Sequence, residues 1–600
     1  MVDWPASELL KIVVIVETIF LSLFLAGVVP ANKTECALVP LYEQGRVVGQ
    51  VCADNGDGAA TILDLGDDWA PAIFSETPDH PQSYRRTLLA LANERIGEGG
   101  QWDTARRDRY FELYGIFPSL SVVRARLLDE PRHRCHALVD GGALRALTRS
   151  VAPWAVVSAA TRRVTAGALT AAQQHLRCEG FLAKEASGTF DGATQEALQL
   201  YQRRNMLPSA GILDLETRDA LLTDSRELDF RTLLRVLRER VVDASGLVED
   251  GSAANAWEPI LGRFVDSSEY RRVLRSTPLE RGVGDLVSPA TEAAARAMGW
   301  TSPEAASRAL DTLPAARVAV RLPPVPVYHA KPVRLRAEID RGDVWTSYPL
   351  DAEGRPRPSP AKNRPTFTLF VETGAGEIPL VRWPTTIGAW KQEKVDGEGE
   401  ALRYKESPVG RWYWRDLVAA PAWFPPPTTP DRELIRRSPD GRWVADEDGV
   451  GPGYRSAYGL VALFHHRAIT TSGGGTEYAD IQIRTHGSAS YRSILRGSSH
   501  GCHRLFNHLA IRLGAFVLAS TVHTRQGLID ERYGRLLRWK GRAFKLRAES
   551  RGYRYELASP IPVDVLPGRS VRSKTIPFVP PPATPAAPQP QAQVPTTPQT

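Results

Sequence analysis

"RTHGSASYRSILRGSSHGCHRLFNHLA", residues 484–510, decides how the C-terminal half of this chain is read. Four of the twelve histidines, at 486, 500, 503 and 508, fall inside it. Cys502 sits among them and is the only cysteine after Cys178. A thiol so placed can be a metal ligand, a redox sensor, a nucleophile or a packed core group. Structural zinc sites use paired Cys or His sets, and one thiol at these spacings supplies none; the helical H-E-x-x-H signature is also missing. No metal site and no cofactor are expected. A nucleophilic thiol instead needs a base within reach and a positive local potential. Gly501 lets the backbone turn sharply and leaves Cys502 accessible, and Arg504 adds fixed positive charge. His486 closes the strand-like run "DIQIRTHG" and is followed by Gly487, so a rigid strand would carry the base. The run "LFNHLAIRLGAFV" reads as a helix. It would put Cys502 at a helix N-terminus, where the dipole favours a thiolate and N–H groups face a developing oxyanion.

Outward from this stretch, the residues from about 325 change period. "VPVYHAKPVRLRAEI", "PTFTLFVETGAGEIPLVRW", "YGLVALFHHRAI" and "ADIQIRTHG" alternate and are rich in β-branched and aromatic residues, which predicts strands. A mainly β domain is expected over 325–545. His465 and His466 are read as strand neighbours facing opposite sides, and His503 and His508 as packing or surface residues. "PAWFPPPTTP" (421–430) has too many prolines for a central strand and reads as a rigid extended loop. The segment 546–600 ends in a proline-dense, uncharged stretch from 575 on, which predicts a disordered tail.

These residues resemble a known family. His486-Gly487-Ser488 and, with twelve residues between His486 and Ser499, Ser499-His500-Gly501-Cys502-His503-Arg504 are similar to the signature of the L,D-transpeptidases, the YkuD-type domain. Ser407-Pro408-Val409-Gly410 resembles the family's Thr-Pro-x-Gly. The segment from Pro421 to Pro427 with Trp423 resembles its Pro-Trp-x-x-Pro-Pro. Arg484-Thr485 departs from the apolar residues common before the histidine. The resemblance implies a YkuD-like β-sandwich and a cysteine acyltransferase. In it His486 takes the thiol proton, and Cys502 attacks the carbonyl of the diaminoacyl residue in a peptidoglycan tetrapeptide stem. D-alanine leaves, and the amine of a second stem resolves the thioester into a 3→3 cross-link. It places Gly501 in the oxyanion loop, gives Ser499, His500 and Arg504 supporting roles, and assigns Trp423, Gly487 and Ser488 to substrate binding. Hydrolysis of the same thioester, as in a carboxypeptidase or endopeptidase, stays open, as does an inactive wall-binding scaffold.

A second resemblance lies in 166–224. Phe190-Asp191-Gly-Ala-Thr194-Gln-Glu-Ala197-Leu198 echoes Leu213-Asp214-Leu-Glu-Thr217-Arg-Asp-Ala220-Leu221. Each Asp can cap the helix that follows it. With Gln173, Gly180-Phe181-Leu182, Tyr201-Gln202 and Gly211, this three-helix unit resembles the peptidoglycan-binding domain of bacterial wall enzymes. Peptidoglycan is therefore the expected partner.

The remainder bounds the setting. Six hundred residues predict several domains. A net charge of +7 suits an anionic polymer. The lack of a basic stripe with interleaved aromatics argues against nucleic acid. Residues 1–31 carry an apolar run, 12–31, long enough to span a bilayer and read as a signal peptide or inner-membrane anchor. The periplasm or cell envelope is the expected location. Cys36, Cys52, Cys135 and Cys178 suit an oxidising compartment, and Cys36–Cys52 with Cys135–Cys178 is the simplest of three pairings. Residues 32–165 have no assigned function, and 225–324 read as a helical connector. The fold class is thus multidomain, with helical N-terminal and glycan-binding regions ahead of a β-rich catalytic domain.

Overall fold

The computed structural model describes residues 36–571 apart from 54–59, 67–68, 70, 75–119, 152–158, 206, 208–210, 266–276, 312–315, 330–331, 396–398, 438–441, 452–455, 489 and 549. The expected signal or anchor segment and the proline-rich tail lie outside the described residues. No helix among the described residues is long and apolar enough to cross a membrane.

The N-terminal region is not all helical. Strands β1 (Leu38–Glu43), β2 (Arg46–Cys52), β3 (Thr61–Asp64) and β4 (Arg317–Val320) form a sheet in the order β2-β1-β4-β3. The sheet packs on helices α1 (Leu120–Leu127), α5 (Ser225–Ser245), α6 (Val287–Ala297) and α7 (Pro303–Asp311). Tyr42, Leu63, Val123, Phe230, Leu237, Ala294, Trp300 and Val318 share one buried core. Residues 225–324 are therefore half of a folded core rather than a connector, because β4 closes a sheet begun at residue 38. The Cys36–Cys52 and Cys135–Cys178 disulfides both form, which leaves Cys502 as the free thiol.

Between these halves lie α2 (Ala159–Cys178), α3 (Gly192–Arg204) and α4 (Leu215–Leu221). The sequence echo has a physical counterpart. Asp191 and Asp214 accept the N–H groups of Thr194 and Thr217 at 2.9 and 2.7 Å. Behind each cap lies a buried glutamine. The Gln173 amide donates to Thr189 O and Thr194 Oγ1 and accepts from Ser187 and Gly188 N–H. Gln202 repeats this with Ile212 O, Thr217 Oγ1 and Gly211 N–H. Both side chains are fully buried, so each must satisfy its own polar atoms and does so by pinning the turn before the next helix.

The β-rich domain is built on β5 (Arg334–Asp340), β7 (Thr366–Thr373), β8 (Gly376–Pro384), β11 (Gly410–Ala419), β14 (Val461–Thr470), β15 (Thr476–Ser488), β16 (His503–Phe506), β17 (His523–Leu528) and β20 (Tyr553–Val565). Their order is β16-β15-β14-β11-β20-β5-β7-β8, with β17 also on β20. The sheet thus includes β20 and runs past the expected end at 545. Three strand spacings of ~4.8 Å would hold β11 and β7 about 14 Å apart in a flat sheet. The rings of Trp414 on β11 and Phe367 on β7 are 6.0 Å apart, so the sheet curls over its own apolar core. Helix α9 (Asn507–Ser520) adds Leu509, Leu513, Phe516 and Val517 to that core, and α8 (Tyr491–Arg496) adds Tyr491 and Ile494. Prolines 324 and 326 explain why strand pairing starts at Arg334 and not at 325; Val327–His329 is a short 3-10 turn instead.

Smaller two-stranded units decorate this sheet: β6 (Asp343–Trp345) with β21 (Arg569–Val571), β12 (Ile435–Arg437) with β13 (Trp443–Ala445), and β18 (Tyr533–Trp539) with β19 (Arg542–Ala548). The hairpin of β9 (Gly388–Val395) and β10 (Gly399–Glu406) springs from the sheet beside the Cys502 loop. The regions touch one another through buried contacts. Arg512 on α9 pairs with Glu239 on α5 at 2.7 Å, the Arg203 guanidinium lies 4.1 Å from the Tyr491 ring centre, and Tyr555 donates its hydroxyl to Ile73 O at 3.0 Å.

Candidate active site

β15 and β16 run parallel, with Thr485 opposite His503 and His486 opposite Arg504. Side chains alternate along a strand, so each pair faces its own side. Thr485 and His503 face inward, where His465 takes hydrogen bonds from Trp414 Nε1 at 3.0 Å and meets Thr485 Oγ1 at 2.9 Å. His486 and Arg504 share the other side. Cys502 comes two residues before Arg504 and takes the Arg484 backbone N–H on its sulfur, while the Tyr458 ring lies 4.9 Å from the His486 ring, tilted by 60°. His466 points away from His465 to Asp416, at 3.1 Å, as the alternation predicts.

The His486 ring is buried, and its Nδ1 lies 2.6 Å from Gly487 O. A carbonyl only accepts, so Nδ1 carries the proton and Nε2 keeps its lone pair. Burial, then the Arg504 charge, lower the His486 pKa to about 3, so the ring is neutral across the physiological range. Cys502 is half-buried. Burial pushes its thiol above the ordinary value, while the Arg484 backbone N–H on the sulfur and the Arg484 and Arg504 charges pull it back. The resting pair is a neutral thiol and a neutral imidazole.

Four hydroxyls and one glycine fix the Cys502 loop. Gly501 has φ +110, and a Cβ there would lie 3.0 Å from Glu406 O. Ser407 Oγ donates to Gly501 O at 2.7 Å, which gives the Ser-Pro-x-Gly segment its job. The Cys502 carbonyl accepts from Thr386 and Ser499 hydroxyls, each at 2.7 Å. Thr386 in turn accepts the Arg504 N–H, and Thr385 donates to Arg504 O. Ser499 accepts the Gly501 N–H at 3.2 Å, so that amide serves the turn.

Several expectations change. Cys502 is not at a helix N-terminus: β16 intervenes, and α9 starts only at Asn507, because "HRLF" completes the sheet before the helix can begin. The dipole does not assist the thiol; Arg484 and Arg504 do. Ser488 is buried and its hydroxyl accepts the Ser490 N–H, so it holds the turn after β15. Gly487 is required by packing, since a side chain there would collide with Asn507 Oδ1. Trp423 packs in a separate cluster with Val450, Leu537 and Leu546. His500 is exposed at the rim. His508 stacks on Phe506, and His503 is fully buried with neither ring nitrogen hydrogen-bonded.

Sequence reasoning missed Tyr458 and Thr386, whose neighbours carry no motif. It saw Arg484 only as an oddity. The Arg484 guanidinium is buried, makes two 2.6 Å bonds to Asp480 and lies 3.7 Å from the Phe464 ring centre. The i to i+4 partner on the same strand was the available signal.

Among the described residues no group of three or more His, Cys, Asp or Glu side chains is arranged to hold a metal. No curated protein matches this chain. Two family models do. Residues 165–221 match a peptidoglycan binding domain (PG_binding_1), and residues 362–524 match the L,D-transpeptidase catalytic domain (YkuD). The second span includes His486, the Cys502 loop and both hydroxyls at the hairpin base. The chain therefore carries a YkuD-type L,D-transpeptidase catalytic domain joined to a peptidoglycan-binding domain.

Proposed function

We propose that this protein is a peptidoglycan L,D-transpeptidase that works through a Cys502 thioester in the cell envelope. The observation that carries the reading is the shared face of β15 and β16. His486 and Arg504 face each other across it, Cys502 comes two residues before Arg504, and the Gly487 carbonyl holds the His486 Nδ1 proton so that Nε2 is free to accept another.

Each step has residues suited to it. As the thiol attacks the stem carbonyl, its proton passes to His486 Nε2, and the C–S bond forms. Proton transfer concerted with attack suits this pair, because neither group is charged at rest. The Gly501 and Arg504 N–H groups are already bound by Ser499 and Thr386. The His503 N–H points into the β15 ladder, which leaves the Cys502 amide as the loop's donor for the oxyanion. The imidazolium then protonates the departing D-alanine amine, and the thioester remains. Burial and the Arg504 charge make that imidazolium a strong acid, which favours the transfer. An amine of a second stem attacks, His486 accepts its proton, and the thiol is regenerated with a new amide bond. The peptidoglycan-binding domain supports glycan strands as the setting.

The test is incubation of the full chain with tetrapeptide muropeptides, read by mass spectrometry. Cross-linked dimers with release of D-alanine, abolished in Cys502→Ala, are expected. Free tripeptide without dimers moves the function to hydrolysis. Turnover that survives Cys502→Ala removes the nucleophile.

A further inference from the structure

The cations around Cys502 fall into two kinds. Arg484 is neutralised by Asp480, and Lys405 by Glu393 at 2.7 Å. Arg504 and Lys391 have no carboxylate in ion-pairing distance among the described residues. Arg504 Nη1 meets only the neutral Ser493 hydroxyl at 3.0 Å, and its Nε is buried without a partner. Lys391 stands half-buried on β9.

Their placement follows from the hairpin. β9 and β10 leave the sheet at Thr386 and Ser407, the two residues that hold the Cys502 and Gly501 carbonyls. In the β9–β10 register Lys391 faces Arg403 and Ala389 faces Lys405, so Lys391 and Lys405 lie on one side. The loop meets the hairpin at its base, where Gly501 abuts Glu406 O, and the His500 imidazole is held below its ordinary pKa by partial burial and then by the Lys391, Arg504 and Lys405 charges. Lys391 in turn feels Arg504 more strongly than its one opposing carboxylate, Glu433.

Two like charges, partly withdrawn from water and close enough to repel, are a cost to the free protein. An anion between them removes it, and a carboxylate suits a guanidinium and an ammonium together. We propose that Lys391 and Arg504 form a carboxylate clamp beside Cys502 that selects donor peptides bearing a free carboxylate next to the bond that is broken. The assignment rests on the acyl-transfer reading above, and its test is built to fail separately from it.

Alkylation of Cys502 in the full chain is followed by mass spectrometry with two probes, anionic iodoacetate and neutral iodoacetamide. The ratio of their rates cancels thiol reactivity and reports the clamp. In the wild type this ratio should exceed that of glutathione by roughly tenfold. Lys391→Met should lower it several-fold with unchanged thermal unfolding, and Lys391→Arg should retain it. A wild-type ratio no higher than that of glutathione, or one indifferent to Lys391→Met, overturns the clamp. With peptides, Lys391→Met should raise KM for the free acid and leave KM for the carboxamide analogue unchanged. Equal use of acid and amide by the wild type overturns the selectivity. A shifted alkylation ratio without any peptide turnover would keep the clamp and remove the transpeptidase reading.

Discussion

The Ser407 hydroxyl holds the Gly501 carbonyl at 2.7 Å across 94 residues of sequence. Ser407 also takes the other side of the hairpin base, with its N–H on Ile387 O at 2.7 Å. The turn that presents the thiol is therefore set by a residue on a different strand, and its geometry depends on one neutral hydroxyl. Ser407→Ala should cost about 1 kcal/mol in stability and leave Gly501 O unpaired in a buried site. It should lower kcat on stem peptides at least several-fold while KM changes little. Ser407→Thr, which keeps the donor, should recover most of the activity. Paired thermal melts and steady-state kinetics check both variants.

The titration of the thiol separates two mechanisms. A pre-formed thiolate–imidazolium pair gives an alkylation rate that levels off in mildly acidic solution. Here burial raises the Cys502 pKa and lowers that of His486 to about 3. The iodoacetamide rate should keep rising with pH through 8 and beyond 9. A plateau reached by pH 6 would mean that the ion pair exists at rest.

His503 supplies a stability prediction with a definite sign. Its folded pKa is held at about 3 by burial, with the Arg341 charge adding to it, against 6.5 as the ordinary value. The unfolded chain takes up the proton first, so stability is lost as pH falls from about 6.5 towards 3. For this one group the loss between pH 7 and 4.5 is on the order of 2 kcal/mol. The ring makes no hydrogen bond, so His503→Leu removes an acid liability and no polar contact. Its melting temperature should fall less steeply than that of the wild type between those two pH values. Equal slopes would show that other histidines carry the effect.

The glutamine pins of the glycan-binding unit give a separable phenotype. Gln173→Ala strands the Ser187 and Gly188 N–H groups and the Thr189 carbonyl inside the unit. The expected cost is about 2 kcal/mol or more, confined to α2–α4. Binding to insoluble peptidoglycan should weaken, and turnover of soluble muropeptides should persist. Sedimentation with sacculi and the soluble assay distinguish the two.

The site was legible where chemistry constrains local sequence. The His-Gly and Ser-His-Gly-Cys runs need a strand end and a tight turn, and both needs are met within a few residues. The Asp caps of α3 and α4 were legible for the same reason. What escaped was long-range. Thr386 and Tyr458 reach the Cys502 site only through strand order, and no spacing along the chain encodes that. The helix-dipole argument failed because the four residues 503–506 pair with β15 before the helix starts. A β-rich run and a helical run abut there, and only the parallel register decides between them. The N-terminal core failed similarly, since β1 finds β4 about 275 residues later.

That pairing of β1 with β4 has a consequence for how the enzyme meets its polymer. The glycan-binding helices are threaded between two neighbouring strands of one sheet instead of trailing from an end. Arg203 against Tyr491 then ties them to the β-rich half, and Arg512 against Glu239 ties that half to the core that holds them. The distance from the glycan-binding helices to Cys502 is a dimension of the fold, as on a gauge block, and extending a surface loop would not lengthen it.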